Sequence, residues 1–250
     1  MLQYVSYAQF GDIIMGNRRP HGYDNWGKVH TYSENTPSYY SSTPKINNNP
    51  NTQRNSGYEQ VDALQKWVYH TSNGLKFTLN MQGSKSWNIP RFDKLTQIQD
   101  NALRFARWDY GPQKRWLISP QLSFVGNRPW LASGKIIAAA QFLEESRIKR
   151  KFTSLDRETQ HEKVAVYSLN ADFKATIATG FDWSYGLEFT HNEVKSTAFS
   201  ETLTVDGNSI VGLSKKTPIA TRYPSGGSTY NSFAVYVDFR YDITPKSTLT

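Results

Sequence analysis

A two-residue period runs through most of the chain. In residues 75–82, Leu75, Phe77, Leu79 and Met81 alternate with Lys76, Thr78, Asn80 and Gln82. Successive side chains of an extended strand point to opposite faces, so this segment predicts a strand with one oily and one wet side. The pattern recurs in 115–124, where Trp116, Ile118, Leu122 and Phe124 alternate with Arg115, Ser119, Gln121 and Ser123. It returns in 165–174 (Ala165, Tyr167, Leu169, Ala171, Phe173), in 181–190 (Phe181, Trp183, Tyr185, Leu187, Phe189) and in 233–242 (Phe233, Val235, Val237, Phe239, Tyr241). Two segments alternate less cleanly. Residues 135–143 are alanine-rich and apolar on both faces. Residues 61–71 read as a strand from their Trp67-Val68-Tyr69 content and their position. Together these predict an all-β chain of about eight strands and the beginning of a ninth.

The connections carry a second signal. Ser72-Asn73-Gly74 is a tight hairpin turn, since Asn-Gly tolerates the positive φ such turns need. Gly126-Asn127-Arg128-Pro129, residues 175–180 and Thr244-Pro245-Lys246-Ser247 read as further short turns. Between them lie long connections, at 17–56, 88–107, 147–160 and 198–231. In an antiparallel meander, alternate connections fall at opposite ends of the sheet. The short turns are therefore expected at one end, with tips at Asn73, Asn127, Ile177 and Pro245, and the long loops at the other. This is the pattern of a transmembrane β-barrel with short periplasmic turns and long extracellular loops. Aromatic residues gather near both ends of the strands: Tyr69, Phe77, Phe124, Trp130, Phe173, Phe181, Trp183, Phe239 and Tyr241 towards the short turns, Trp87, Trp108, Phe142, Phe189 and Phe233 towards the long loops. Amphipathic rings collect in this way at the two water–lipid boundaries. Alternation by itself describes a soluble β-sandwich equally well; the one-sided loops and the aromatic placement favour the barrel.

Composition removes several other classes. The chain has 250 residues, 38% hydrophobic, with 15 Tyr, 13 Phe and 7 Trp. No apolar run approaches the length of a membrane helix, whereas a spanning strand needs only about 9–11 residues, every second one apolar. Without cysteine there is no disulfide, thiolate metal site or cysteine nucleophile. The net charge of +8 is spread along the chain, and no zinc-finger or helix-turn-helix spacing accompanies it, so nucleic acid is not an expected partner. Met1-Leu2-Gln3-Tyr4-Val5 lacks the basic start and apolar core of a signal peptide.

The run Asp100-Asn101-Ala102-Leu103-Arg104-Phe105-Ala106-Arg107-Trp108-Asp109-Tyr110-Gly111-Pro112-Gln113-Lys114-Arg115 resembles the barrel region of TonB-dependent outer-membrane receptors, especially their Bacteroidetes branch. Asn88-Ile89-Pro90-Arg91-Phe92-Asp93, Val166-Tyr167-Ser168-Leu169-Asn170-Ala171-Asp172-Phe173 and Tyr185-Gly186-Leu187-Glu188 extend the resemblance over most of the chain from about Gly57. The resemblance implies a Gram-negative outer-membrane location and TonB-dependent uptake of a scarce ligand such as a siderophore, haem, an oligosaccharide or a peptide. Such receptors have a twenty-two-stranded barrel, an N-terminal plug and a short box that contacts TonB. Residues 1–250 are then expected to be one partial barrel domain, with plug and TonB box outside them. A passive porin-like barrel and a secreted carbohydrate-binding sandwich are the alternatives.

No catalytic residue, metal ligand or cofactor is expected. There is no G-x-S-x-G elbow, and His21, His30, His70, His161 and His191 make no close-spaced ligand pair. His21 and His30 are each an ordinary loop residue or a lone contact to iron or haem. Glu144-Glu145, next to Arg147, Lys149, Arg150 and Lys151, reads as a charged strand end entering water, as an acid–base pair, or as part of a basic rim attracted to anionic lipopolysaccharide. The first long loop is rich in rings. Tyr23, Trp26, Tyr32, Tyr39 and Tyr40, with Arg104 and Arg107 from the next loop, are the candidate ligand contacts, because polar-tipped rings bring large area at small entropy cost. The other reading is that the rings cover one another and hold the loop shut.

Overall fold

The computed structural model describes residues 1–18, 20–34, 36–244 and 246–250. The regular structure of the chain is nearly all strand. Its main sheet is a meander of β1 (Leu2–Phe10), β2 (Tyr58–His70), β3 (Lys76–Ser86), β4 (Lys114–Arg128), β5 (Leu131–Lys151), β6 (Asp156–Ala178), β7 (Phe181–Asp206), β8 (Gly227–Thr244) and the short β9 (Ser247–Leu249). Spatial order follows chain order, and every neighbouring pair is antiparallel. Short turns join β2 to β3, β4 to β5 and β6 to β7 at one end. The connections at 11–57, 87–113 and 207–226 lie at the other. The expected tip at Pro245 falls outside the described residues. Strands β1 and β9 occupy the two edges and do not pair with each other.

Three expected boundaries shift. The β4–β5 turn is Pro129-Trp130, closed by the Arg128–Leu131 pair, and Gly126-Asn127 belong to a bulge in β4. A Cβ on Gly126 would run into the Leu131 carbonyl, so the bulge requires glycine. Residues 147–160, expected as a long loop, are mostly paired: β5 and β6 continue as a ribbon up to the Arg150–Arg157 pair and leave only a tight connection at 152–155. Likewise the expected loop at 198–231 begins with further β7, which pairs with Ser209–Leu213 in a hairpin. The alternation signal ends where both faces of the ribbon carry polar side chains, although the backbone pairing goes on.

The register sorts side chains by face. Phe77, Leu79, Ile118, Leu169, Leu187 and Val235 share one face, and Thr78, Asn80, Ser119, Asn170 and Glu188 share the other. On β3 and β4, burial is the reverse of that in a sheet folded round an oily core. Phe77 and Ile118 are 45% and 47% exposed, while Thr78 and Ser119 are 8% and 6% exposed. The buried apolar cluster Leu103, Ala106 and Phe152 sits away from this face, among the long connections.

The apolar band is bordered by rings. Towards the short turns, Phe173 meets Tyr185 (5.3 Å), Trp183 meets Phe239 (5.0 Å) and Phe181 meets Tyr241 (5.9 Å). The Tyr185 hydroxyl donates to the Trp130 carbonyl at 2.9 Å. Towards the long connections, Phe142, Tyr167 and His191 form a row, with centroid distances of 6.0 and 6.3 Å. The band also slides along the sheet. It includes Val5 and Ala63 on β1 and β2 but starts only at Phe189 and Phe233 on β7 and β8, rows nearer the short turns. Such a stagger is what strands tilted against a common axis produce.

Candidate ligand-binding site

Beyond the apolar band, the β5–β6 ribbon carries Arg147, Lys149 and Lys151 at alternate positions, hence on one face, with Glu158 and Gln160 of β6 beside them. Where β4 ends, Phe105–Tyr110 takes over as the neighbour of β5 and brings Trp108 opposite Lys149 and Tyr110 opposite Arg147. Gly111 makes the junction. Its φ is +109°, its N–H donates to the Ser146 carbonyl at 2.9 Å, and a Cβ there would stand 2.8 Å from the Trp87 carbonyl oxygen.

A helical turn, Phe92–Leu95, closes the other side. Its last carbonyls are capped locally, the Thr96 hydroxyl donating to Phe92 O at 3.0 Å. A small hairpin then pairs Ile98–Gln99 with Ala102–Leu103. Its two-residue turn, Asp100-Asn101, has both φ values positive (50° and 61°), which Asp and Asn tolerate. The hairpin brings Arg104 back to Gln97, N–H to carbonyl at 2.9 Å, and Leu103, Ala106 and Phe152 pack behind it.

These pieces enclose a cleft of about 490 Å³ with Lys94, Gln97, Arg104, Trp108, Arg147, Lys149 and Lys151 in its wall, against the carboxylates of Asp156 and Glu158. Lys149 is paired with Glu158 at 2.9 Å. Arg147 reaches Glu145 only at 3.9 Å, and its buried Nε has no hydrogen-bond partner; the Oε1 of Gln97 is in the same position. At the rim, Arg91 holds Asp93 through two hydrogen bonds (3.0 and 2.6 Å) and stacks over Trp108 at 4.7 Å. The hydrogen bond from Arg91 keeps the Asp93 carboxyl below the usual carboxylate range. Comparison of the chain with family models, curated proteins and solved structures finds no match.

The candidate contacts divide into three groups. Arg104 lines the cleft. Tyr23 and Trp26 lie in the first connection, 71% and 70% exposed, beside His21, and line no part of the cleft. The remaining four hold structure. Arg54 sits over the Tyr32 ring at 5.9 Å, and Tyr39 bridges to Ser209. Tyr40 exchanges hydrogen bonds with Asn208, backbone N–H to carbonyl and side-chain amide to carbonyl, both 2.8 Å, and its ring faces Arg150 at 5.0 Å. Arg107 pairs with Asp109 at 2.6 Å, the two side chains only 15% and 10% exposed. Burial pushes the nearby Arg150 guanidinium below its usual value; Tyr40 opposes this, and Arg107 and Arg157 add to it. The sequence reading missed Lys94, Gln97, Arg147, Lys149 and Lys151 as one group. The signal that could have found them is the alternation Arg147-x-Lys149-x-Lys151, which puts like charges on one strand face.

A second cleft of about 430 Å³ lies nearer the apolar band on the polar face, with Asp62, Glu145 and Glu162 in its wall. Arg222 stands 3.6 Å from both glutamates, and the Ser196 hydroxyl donates to Glu162 at 3.0 Å. Among the described residues no group of three or more His, Asp or Glu side chains gathers to hold a metal.

Proposed function

We propose that this chain is membrane-spanning sheet from a TonB-dependent receptor of the Gram-negative outer membrane, which captures a scarce ligand outside the cell. The observation that carries the membrane part is the exposed apolar face with rings at both borders and a polar face behind it. In water an exposed apolar patch of that extent is a liability; in a bilayer it is the solvent-matched side. On β7 the stretch from Phe181 to the border residue His191 covers about 34 Å of extended strand, which a tilt near 40° reduces to about 26 Å of height, close to the apolar band of an outer-membrane barrel.

The border at the long-connection end suits an outer leaflet. One row beyond Trp116 and Phe142 on the same face, Lys85, Lys114, Glu144, Lys163 and Lys195 fall side by side, one per strand. Such a row attracts the phosphates of lipopolysaccharide. The receptor class rests on the resemblance of residues 88–93, 100–115, 166–173 and 185–188. Uptake needs no covalent chemistry from the chain, and TonB supplies the energised step.

Nitroxide labels at Leu169 and Asn170 test the reading in reconstituted bilayers. Leu169 is expected to be accessible to oxygen and shielded from a water-soluble nickel chelate, and Asn170 the opposite. A protein that stays monomeric without detergent, with Leu169 open to the chelate, would establish a soluble sandwich. Ion conduction by the reconstituted protein without TonB would establish a passive porin.

A further inference from the structure

We infer that the basic cleft is a binding site for a compact polyanion, a ligand carrying two or more carboxylate or phosphate groups. The inference rests on the receptor reading, whose cargo it narrows to a chemical class. Cations on the solvated face of a ribbon are ordinarily answered across the strands, as Lys149 is by Glu158 at 2.9 Å. The rest of this group is answered weakly or not at all: Arg147 reaches Glu145 only at 3.9 Å and sits over the Tyr110 ring at 5.5 Å. The cross-strand neighbours of Arg147 are Gln160 and Tyr110, both neutral. Among the described residues, no carboxylate lies within ion-pair distance of Lys94, Arg104 or Lys151.

The cations also converge. They come from a helical turn, a hairpin and a long ribbon, and all three elements turn them into one cavity. Arg147, Lys149 and Lys151 follow at steps of about 7 Å along the strand, a like-charge spacing that costs energy until an anion answers it. The Arg147 Nε adds a buried donor that has no hydrogen-bond partner. Guanidinium groups at Arg104 and Arg147 offer the forked donors that carboxylate and phosphate oxygens accept in pairs. At about 490 Å³ the cavity has the volume of a small-ligand site. A neutral sugar of that size would leave the cations unanswered and would desolvate them at a cost.

The test is calorimetric titration of the detergent-solubilised protein with tripolyphosphate, citrate and, as a neutral probe, maltotriose. At least one anion is expected to bind and maltotriose to leave no signal. Binding of tripolyphosphate alone assigns phosphate, and of citrate alone carboxylate. Arg104→Gln and Lys151→Gln are each expected to weaken the bound anion about tenfold, and Arg104→Lys to restore part of the loss. Lys215→Gln, at an exposed lysine that does not line the cleft, is expected to change nothing. Heat-modifiable gel mobility shows that each variant is folded. Absence of binding by both anions, maltotriose binding as tightly, or an equal loss in Lys215→Gln overturns the inference. A protein that places Leu169 in lipid yet binds neither anion loses this inference alone. One that binds tripolyphosphate but purifies without detergent loses the receptor reading instead.

Discussion

Replacing Leu187 by lysine is the sharpest test of which face meets lipid. Leu187 lies near the middle of the Phe181–His191 band, flanked in register by Ala171 and Val235 on the apolar face. Along the strand Leu187 lies about 14 Å from His191 and about 20 Å from Phe181, so in a bilayer a lysine there could not bring its ammonium to either border with its own stem. Lysine at a bilayer midplane on the lipid face of a barrel costs roughly 2–4 kcal/mol, and this central position argues for about 3 kcal/mol, some two orders of magnitude in the folding equilibrium. Its neighbour supplies the control. Glu188 points to the opposite face, where Asn170 donates to it at 3.2 Å, so Glu188→Lys loses one exposed hydrogen bond and is expected to cost under about 1 kcal/mol. Urea unfolding of protein refolded into short-chain lipid vesicles, followed by tryptophan emission, measures both. If Glu188→Lys is the more damaging of the two, or Leu187→Lys costs less than about 1 kcal/mol, the assignment of faces is wrong.

Three further outcomes follow from the upper part of the molecule. Asp109→Ala leaves Arg107 buried beside Arg150 without its partner and should cost about 3–5 kcal/mol in urea unfolding, much of it recovered in Arg107→Leu/Asp109→Leu. Gly111→Ala forces a side chain into a positive-φ position against the Trp87 carbonyl; a loss of about 1–3 kcal/mol is expected, and a neutral result would show that the β4 junction relaxes freely. Because Arg91 lowers the Asp93 carboxyl, the ion pair contributes fully above the unfolded carboxylate value near 4 and is lost as pH falls through the lower folded value. Hydrogen-exchange protection of the Phe92–Leu95 turn, corrected for intrinsic rate, should therefore hold from pH 7 to pH 5 and fall below about pH 4, and Asp93→Asn should remove that step.

The strands and their faces were legible because half of each strand is apolar, and period two survives only where one side differs from the other. It fails at Arg147–Gln160 for the same reason. There charge stands on both faces, and the pairing of Lys149 with Glu158 or of Arg157 with Glu201 (2.9 Å) cannot be seen in a hydropathy pattern. Gly126-Asn127 has turn chemistry, yet the chain uses it for a bulge, and the turn falls three residues later, at Pro129-Trp130, because the Arg128–Leu131 pair closes it. The cleft was less legible than the strands. Its cations lie some fifty residues apart in sequence and meet only because Phe105–Tyr110 replaces β4 at the edge of β5. Arg107 and Arg104 look alike in sequence. The bulge between Phe105 and Arg107 separates them, leaving one in the cleft and the other in a buried pair.

The clasp between Tyr39-Tyr40 and Asn208-Ser209 joins residues 168 positions apart, whereas the meander itself is built from hairpins between successive strands. The hairpins close connections of 47 residues (11–57) or fewer, but this clasp has no partner until β2 to β7 are all in place. It therefore forms late in biogenesis and reports that the intervening strands have assembled in order. Protection of the Tyr40 amide during refolding would serve as a clock for that final event. A chain stalled with one hairpin missing would leave the first connection loose and open to proteases while its strands were already paired.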